Sequence, residues 1–400
     1  MALGCSLEAT RPDELTESGS FVRDAPTVLS YAALACYTFW LYAFGPALAL
    51  LREELRFSYT LLGVYSALWS VGAALAGAGF ALAARRLPRA VLLWCSALAA
   101  VIGAGLFTVG SGAAATLLGA GVLGLAGTTL LTVIQAILSD RHGARRDRAL
   151  TEANVGAGAC AVLAPLVLGA LAASPADWRA TFAVPPVVLA ALYLYYRRQP
   201  LPAPAERHGT ERPGRLPLAC WLFAALTSVG MAVEFCLVYF GTEMLIATGL
   251  STAAAATALS SNYLGILVGR LAGAVLTRHP GRTIPLLHAS LAITAAGFLL
   301  FWLTDDSALA VLGLFVCGVG IANLYPLSLA LSIGVAPGHE DRANARTQLL
   351  GGLVVAAAPY LLGRLADQHG LSVAFAIEPV LIGACLLLLL AGLRARRTAA

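Results

Sequence analysis

The chain has 400 residues, of which 59% are hydrophobic and 12% charged, and its formal net charge is +5. A soluble domain carries roughly 25% charged residues and cannot cover itself with so few. The composition therefore excludes a water-soluble globular protein of this length.

Long apolar runs follow one another along the chain, and a helix needs about 20 mostly apolar residues to cross a bilayer. Ala, Leu, Gly and Val dominate them, without the alternation typical of membrane strands. The sequence predicts an all-α polytopic membrane protein with twelve transmembrane helices, at 27–51, 59–84, 88–109, 113–138, 149–174, 180–198, 216–246, 251–277, 283–303, 306–334, 342–367 and 371–393.

Arginine supplies every basic residue, and its distribution predicts the orientation. With the N-terminus placed in the cytoplasm, twenty arginines fall on the cytoplasmic side and three on the opposite side. The positive-inside rule then predicts a multi-pass protein of the cell membrane with both termini in the cytoplasm. The net charge reflects this topology, so no nucleic-acid partner is expected. The acidic first 26 residues read as a solvated tail rather than a signal peptide.

A repeat divides the chain. "DRALTEANVGAGACAVLAPLVLGALA" from Asp147 is echoed by "DRANARTQLLGGLVVAAAPYLLGRLA" from Asp341, 194 residues later. An offset of six spans predicts two parallel six-helix bundles related by an axis along the membrane normal. The predicted organisation is a cytoplasmic tail (1–26), an N-terminal bundle (27–198), a cytoplasmic linker (199–215), a C-terminal bundle (216–393) and a second tail (394–400).

Glycines recur in the repeat at equivalent positions, Gly119 with Gly313 and Gly124 with Gly318. Small residues let helices approach closely in lipid. We expect these four at seams that move during function.

This architecture resembles the major facilitator superfamily of secondary transporters over residues 27–393. The family's loop motif after the second span is Gly, Asp-Arg, then Gly-Arg-Arg. Here "GFALAARRLPRA" keeps the arginines, and "GRLAGAVLTRHPGR" after the eighth span has Thr277 where Asp is usual. The motif is degenerate in both halves. "APLVLG" in the fifth span resembles the family's Gly-Pro exporter motif, with Ala164 before Pro165.

Enzyme signatures are absent from the sequence: it has no phosphate-binding loop, no HExxH and no paired CxxC. The eight cysteines lack metal-ligand spacing and are interpreted as apolar filler. We therefore expect no enzyme, no metal and no cofactor, and an ion gradient, of protons, as the energy source.

Ionisable groups inside spans are costly and therefore functional by default. Glu234 falls in the middle of the seventh span, where desolvation favours its neutral form and makes it the first candidate for proton coupling. A Glu permanently paired with Arg is the alternative. Glu243 lies near the outer surface, where a structural role is favoured.

Glu152 and Arg346 occupy equivalent places in the repeat, each five residues after the shared Asp. The expectation is that they pair across the central axis when the inner mouth closes, and Glu152 is the second proton-coupling candidate. Independent residues reaching to the cytoplasm are an equally supported alternative.

The family's architecture implies that spans 3, 6, 9 and 12 are scaffold and that the others line a cavity. The resemblance places the remaining candidates in the lining class, where a substrate role competes with helix-packing hydrogen bonds. The predicted substrate-cavity residues are Arg270, Gln135, Tyr239, Asn262, Tyr263, Asn323 and Tyr325.

The sequence thus predicts a monomeric carrier that moves a small organic solute through the lipid bilayer by alternating access, coupled to protons. The exporter-like "APLVLG" favours efflux, whereas the fourth span lacks the Arg that many proton-driven exporters of the family carry, which disfavours it. An uptake permease of the same fold, for a sugar or another metabolite, stays open, as does a receptor that binds without transporting.

Overall fold

Helices of membrane-spanning length account for nearly the whole chain. The computed structural model describes residues 21–110, 112–202, 215–278 and 281–399. Within these ranges twelve helical spans are long and apolar enough to cross a bilayer, and no strand occurs in them. We number them α1 (Ala25–Leu55), α2 (Tyr59–Arg86), α3 (Arg89–Val109), α4 (Ala113–His142), α5 (Arg146–Ala172), α6 (Arg179–Tyr196), α7 (Leu218–Ala247), α8 (Thr252–Ala258 and Ser260–Leu276), α9 (Thr283–Leu303), α10 (Ser307–Ile321 and Leu324–Gly334), α11 (Glu340–His369) and α12 (Leu371–Ala374 and Ile377–Ala399). The twelve predicted spans are confirmed, with ends that differ by a few residues.

Because the number of spans is even, both ends of the described chain lie on the same side of the molecule. The start of α1, the α6–α7 connection and the end of α12 lie on one side, which we call the linker face, and the opposite side is the far face. Residues 1–20 of the predicted tail and 203–214 of the predicted linker lie outside the described residues.

Three spans are interrupted, which the sequence did not indicate. α10 breaks between Ile321 and Leu324, and α12 between Ala374 and Ile377. Proline explains both breaks, because Pro326 and Pro379 have no N–H to bond the carbonyl four residues earlier. In both cases the second segment continues the same span. The break in α8 at Leu259 has no such cause.

The repeat is visible in the packing. In the first bundle α3 packs on α4, α2 on α4 and α1 on α5; in the second, α9 packs on α10, α8 on α10 and α7 on α11. Each contact has its counterpart six spans later. The seven cysteines of the described chain are all free.

Close helix approach inside each bundle depends on the repeated glycines. A Cβ on Gly124 would overlap the backbone of Trp69 in α2, and one on Gly318 would overlap the backbone of Asn262 in α8. Gly119 and Gly313 meet Phe107 and Phe301 in the same way. The expectation that these glycines line a moving seam is therefore wrong, because each contacts a helix of its own bundle.

Other glycines lie between the bundles, towards the far face. A Cβ on Gly63 of α2 would lie 2.6 Å from the Cα of Tyr360 in α11. A Cβ on Gly363 of α11 would overlap the carbonyl of Tyr59. The repeated pattern thus marks contacts within bundles, and the contacts that must open lie elsewhere.

Gly124→Leu should lower the amount of folded protein, because the side chain would have to displace backbone of α2. Overpacking of this kind costs about 3 kcal/mol or more. Gly121→Leu is the matched control, since it lies one turn away on the same helix with no atom within 4 Å of the added Cβ. Fluorescence-detected size exclusion and thermal melting in detergent measure both. Equal yields and melting temperatures for the two variants would contradict a packing role.

Candidate functional site

A buried carboxylate occupies the middle of the membrane between the bundles. α7 runs from Leu218 to Ala247, which puts Glu234 near its centre. Its side chain is buried, and the hydroxyl of Tyr42 on α1 donates to Oε1 across 3.4 Å. Tyr42 belongs to the first bundle and Glu234 to the second, so the bond joins the two halves.

Arg270 on α8 provides the opposite charge at this site. It lies two turns after Tyr263 on the same face of α8, and the residue before it, Gly269, accepts a hydrogen bond from Asn323, two residues before Tyr325. No salt bridge joins Glu234 and Arg270, and Arg270 has no hydrogen-bond partner within the described ranges. Two opposite charges therefore face one site without neutralising each other by direct contact.

Tyrosines form the walls around Glu234. The rings of Tyr42 and Tyr263 meet edge to face, with centroids 4.6 Å apart. Tyr239 packs edge to face on Phe44 at 6.2 Å. The hydroxyls of Tyr239 and Tyr263 are buried and have no hydrogen-bond partner among the described residues.

Tyr325 closes the cluster on the side of Arg270. Its hydroxyl accepts a 2.9 Å hydrogen bond from Nε2 of Gln348 on α11. The structure thus brings together four predicted residues, Glu234, Arg270, Tyr263 and Tyr325, with Tyr239 beside them. Gln348 was not among the residues predicted from the sequence, although it lies in the second copy of the repeat and could have been singled out there.

Three other predicted cavity residues lie apart from this cluster. Nδ2 of Asn262 donates to the carbonyl of Leu314 at 3.0 Å, and Nδ2 of Asn323 donates to that of Gly269 at 2.9 Å. Both side chains are buried and tie α8 to α10, the packing role weighed as the alternative. Gln135 is exposed in the half of α4 nearest the linker face.

Glu152 lies at the linker face, held by its own bundle. It accepts bonds from Nε and Nη2 of Arg23 at 2.8 and 3.0 Å, from Nε of Arg148 at 3.2 Å and from the hydroxyl of Tyr31 at 3.3 Å. The bond to Glu152 and its charge raise the pKa of Arg23. Arg346 is exposed and makes no ion pair with Glu152 in this conformation.

The start of α1 is fixed beside that cluster. Asp24 caps the helix, accepting from N and Oγ1 of Thr27 at 3.2 and 2.6 Å and pairing with Arg141 of α4. Partial burial raises the pKa of Asp24, but the hydrogen bonds from Thr27 and Arg141 outweigh burial and leave the pKa below its usual range. Neither Arg23 nor Asp24 was singled out from the sequence, since nothing there indicates which helix they meet.

The degenerate loop motif serves the first bundle only. Nη2 of Arg89 pairs with Oδ2 of Asp140 on α4 at 3.0 Å, and both side chains are largely buried. This pair ties α3 to α4 and does not reach the second bundle.

At the far face the bundles are joined by polar contacts. Nη1 of Arg52 on α1 pairs with Oε2 of Glu243 on α7 at 3.0 Å, and the guanidinium lies 3.8 Å from the ring centroid of Tyr59. The carboxylate of Asp367, at the end of α11, accepts from the backbone N–H groups of Tyr59 and Thr60 at 2.8 and 2.7 Å. It therefore caps α2 from the other bundle, where the free N–H groups favour an anion.

The hydrogen bonds that cross between the bundles in the described chain lie from the far face to the level of Glu234. Polar residues in the linker-face halves of α4, α8 and α11, among them Gln135, Arg270 and Arg346, are exposed. In the described chain, polar contacts between the bundles therefore close the far face, and no hydrogen bond joins the bundles on the linker-face side of Glu234.

A polar site at mid-membrane, closed on one side by contacts between two repeated bundles, is the arrangement of a membrane carrier. The sequence matches the Major Facilitator Superfamily over residues 30–340 and 222–400. The chain belongs to this family, as the resemblance implied.

Solved transporters share the fold. A variant of the nucleoside transporter NupG superposes with a TM-score of 0.75 at 14% identity, covering 93% of this chain and 98% of that one. A bacterial homologue of the human lysosomal transporter Spinster, inward-facing and occupied, gives 0.71 at 16% identity, covering 94% and 95%. A variant of the peptide transporter POT with alafosfalin gives 0.75 at 15% identity, covering 93% and 95%. No curated protein sequence matches the chain.

Removing the far-face ion pair should open that side. Arg52→Gln leaves Glu243, whose side chain is 4% exposed, without its partner in the closed state only. Loss of one member of a buried pair costs about 3 kcal/mol. We expect spin labels at Ala114 and Ala247, one on each bundle, to show an added longer distance by pulsed electron resonance.

Arg179→Gln is the matched control for this experiment. It removes a far-face ion pair, with Glu54, that lies wholly inside the first bundle. It should leave the distance distribution unchanged. A wild-type distribution in Arg52→Gln would mean that the pair does not hold the far face closed.

Proposed function

We propose that this chain carries a small organic solute across the cell membrane by alternating access, driven by a proton gradient, with both termini in the cytoplasm. The observation that carries the proposal is Glu234, a buried carboxylate at the middle of the membrane that bonds to Tyr42 of the other bundle. The similar transporters have nucleoside, peptide and Spinster-type names, so they support a solute carrier without choosing the solute.

Proton coupling follows from the position of Glu234. A protonated carboxyl donates a hydrogen bond, whereas the carboxylate only accepts and is attracted to Arg270. Tyr42 leaves this site when the bundles reorient, because it is on α1. The two protonation states therefore favour different bundle arrangements, and that difference is what links proton movement to solute movement.

The direction we propose is efflux. The exporter-like segment from Pro165 packs on the second bundle, where a Cβ on Gly169 would overlap Oγ1 of Thr257 on α8. This contact supports a resting state closed at the far face and open to the cytoplasm, the state an exporter needs to load. Uptake by the same cycle is the alternative, and a panel of radiolabelled solutes in liposomes of known orientation separates the two by the sign of accumulation.

Glu234→Gln should abolish solute accumulation driven by a pH gradient and keep solute exchange across the liposome membrane. The amide has the shape of the protonated acid but cannot release a proton, so binding and reorientation continue without coupling. Both activities are measured in liposomes with the solute found by the panel.

Glu378→Gln is the control, since Glu378 is also a buried carboxyl of the second bundle and lies on α12 rather than on α7 or α8. Its pH-driven accumulation should equal that of the wild type. If Glu234→Gln accumulates solute as the wild type does, Glu234 has no role in proton coupling, and Glu152 becomes the candidate to test.

Closure of the linker face should bring Glu152 towards Arg346, as proposed from the repeat. A charge swap is a poor test, because an arginine at 152 would face Arg23 and Arg148. The variant Glu152→Cys, Arg346→Cys should instead form a short cross-link only when the far face is open. We expect cross-linking to rise when Arg52→Gln is added. Equal cross-linking in both backgrounds would contradict the pairing, and each single cysteine is the control.

A further inference from the structure

Two unneutralised charges of opposite sign define the ends of the site. Glu234 is buried on α7, and Arg270 is exposed on α8, on the same helix face as Tyr263 and two turns from it, without a salt bridge to Glu234. Charges inside a membrane protein are kept where they pair with something. Because both belong to the second bundle, their separation does not depend on how the two bundles are arranged.

Hydrogen-bonding groups at the Glu234 end also lack partners. The hydroxyls of Tyr239 and Tyr263 have no hydrogen-bond partner in the part of the chain that the structure describes, and these residues are only 1% and 2% exposed. Buried polar atoms almost always have a partner. The ring of Tyr263 meets that of Tyr42, the residue that bonds Glu234, and Tyr239 lies five residues after Glu234 on α7.

The rings of these residues suit a cationic group. Tyr42 and Tyr263 meet edge to face at 4.6 Å, and Phe235 packs on Tyr239 at 6.0 Å. Aromatic faces attract ammonium groups, and a carboxylate beside them adds charge complementarity. The Glu234 end is thus built for an organic ammonium on an apolar or aromatic body.

The Arg270 end suits an acidic group. The Tyr325 hydroxyl accepts from Gln348, which leaves its own proton free to donate beside Arg270. A guanidinium and a phenol proton together match a carboxylate or a similar oxyanion. Neither group would stabilise a second cation there.

We infer that the solute is a small zwitterion, with its ammonium group at Glu234 among Tyr42, Tyr239 and Tyr263 and its acidic group at Arg270 and Tyr325. This assignment rests on the proposed function and names its substrate class. A simple cation would leave Arg270 unpaired, and a simple anion would leave Glu234 unpaired. A zwitterion pairs both charges and brings no net charge into the membrane.

Matched probes test this on the purified protein, by the shift of its melting temperature on titration at neutral pH. Phenylalanine is compared with phenethylamine and 3-phenylpropanoate, which lack its carboxylate and its ammonium group. 4-(Aminomethyl)benzoate, with a longer charge separation, is compared with benzylamine and benzoate. We expect at least one zwitterion to bind about tenfold or more tightly than both of its analogues, since each added charge pair contributes about 1.4 kcal/mol or more.

Variants then assign each charge. Glu234→Gln should bring the zwitterion down to the affinity of its acid analogue, and Arg270→Gln to that of its amine analogue. Glu378→Gln should leave all affinities unchanged. If neither zwitterion binds more tightly than its analogues to the wild type, the inference is overturned, whatever the variants do.

The binding assay separates this inference from the proposed function. Zwitterion binding without flux in liposomes would support the site and contradict the carrier. Accumulation of some other solute, dependent on pH and on Glu234, with no preference for zwitterions would support the carrier and overturn the substrate class.

Discussion

The low polarity of the bilayer is the constraint on which the rest of this structure depends. A charge that leaves water for hydrocarbon loses far more than a typical contact returns, so ionisable groups inside the spans must face protein or an aqueous cavity. The chain obeys this by keeping most arginines in loops on one side. Those that enter the helices, such as Arg52 and Arg270, meet acidic partners or a polar site. The same constraint makes Glu234 a functional candidate, because a carboxyl group buried in the middle of a span is costly to keep there.

Rigid and separable contacts are built differently. Inside a bundle, helices pack backbone to backbone through glycines such as Gly124 and Gly318. A side chain at either position would overlap the backbone of the neighbouring helix. Between bundles, the far face is closed by the Arg52–Glu243 ion pair, the Asp367 cap, the hydrogen bond from Thr252 to Glu53 and close approaches at glycines such as Gly63 and Gly363. A carrier must break the contacts between the bundles in every cycle. Polar groups suit these contacts, because water can solvate them once they are exposed. Tight packing within bundles lets each move as one body.

The features that depend only on composition and on the order of residues along the chain could be predicted from the sequence. Hydropathy located the twelve spans, and the duplicated Asp-Arg and Pro-Gly pattern indicated two bundles. Mid-span position alone singled out Glu234. The partners of these groups could not be predicted, because the meeting of Arg23 with Glu152, or of Tyr42 with Glu234, depends on how each helix is rotated about its axis. Pro326 and Pro379 in the sequence mark possible breaks in α10 and α12. They do not predict them reliably, because proline inside α1, α5 and α11 causes no break.

The distribution of the site between the bundles has a consequence for coupling. Both charged groups, Glu234 and Arg270, are on the second bundle, whereas the first contributes Tyr42. In the cycle we propose, a charged solute therefore stays with the second bundle, and the first bundle moves across it. Between the two ends of that cycle, the solute exchanges only its contacts with neutral side chains of the first bundle, such as Tyr42. Such contacts are weaker than ion pairs and less costly to exchange for water, so the solute can be held firmly by charge while access alternates around it.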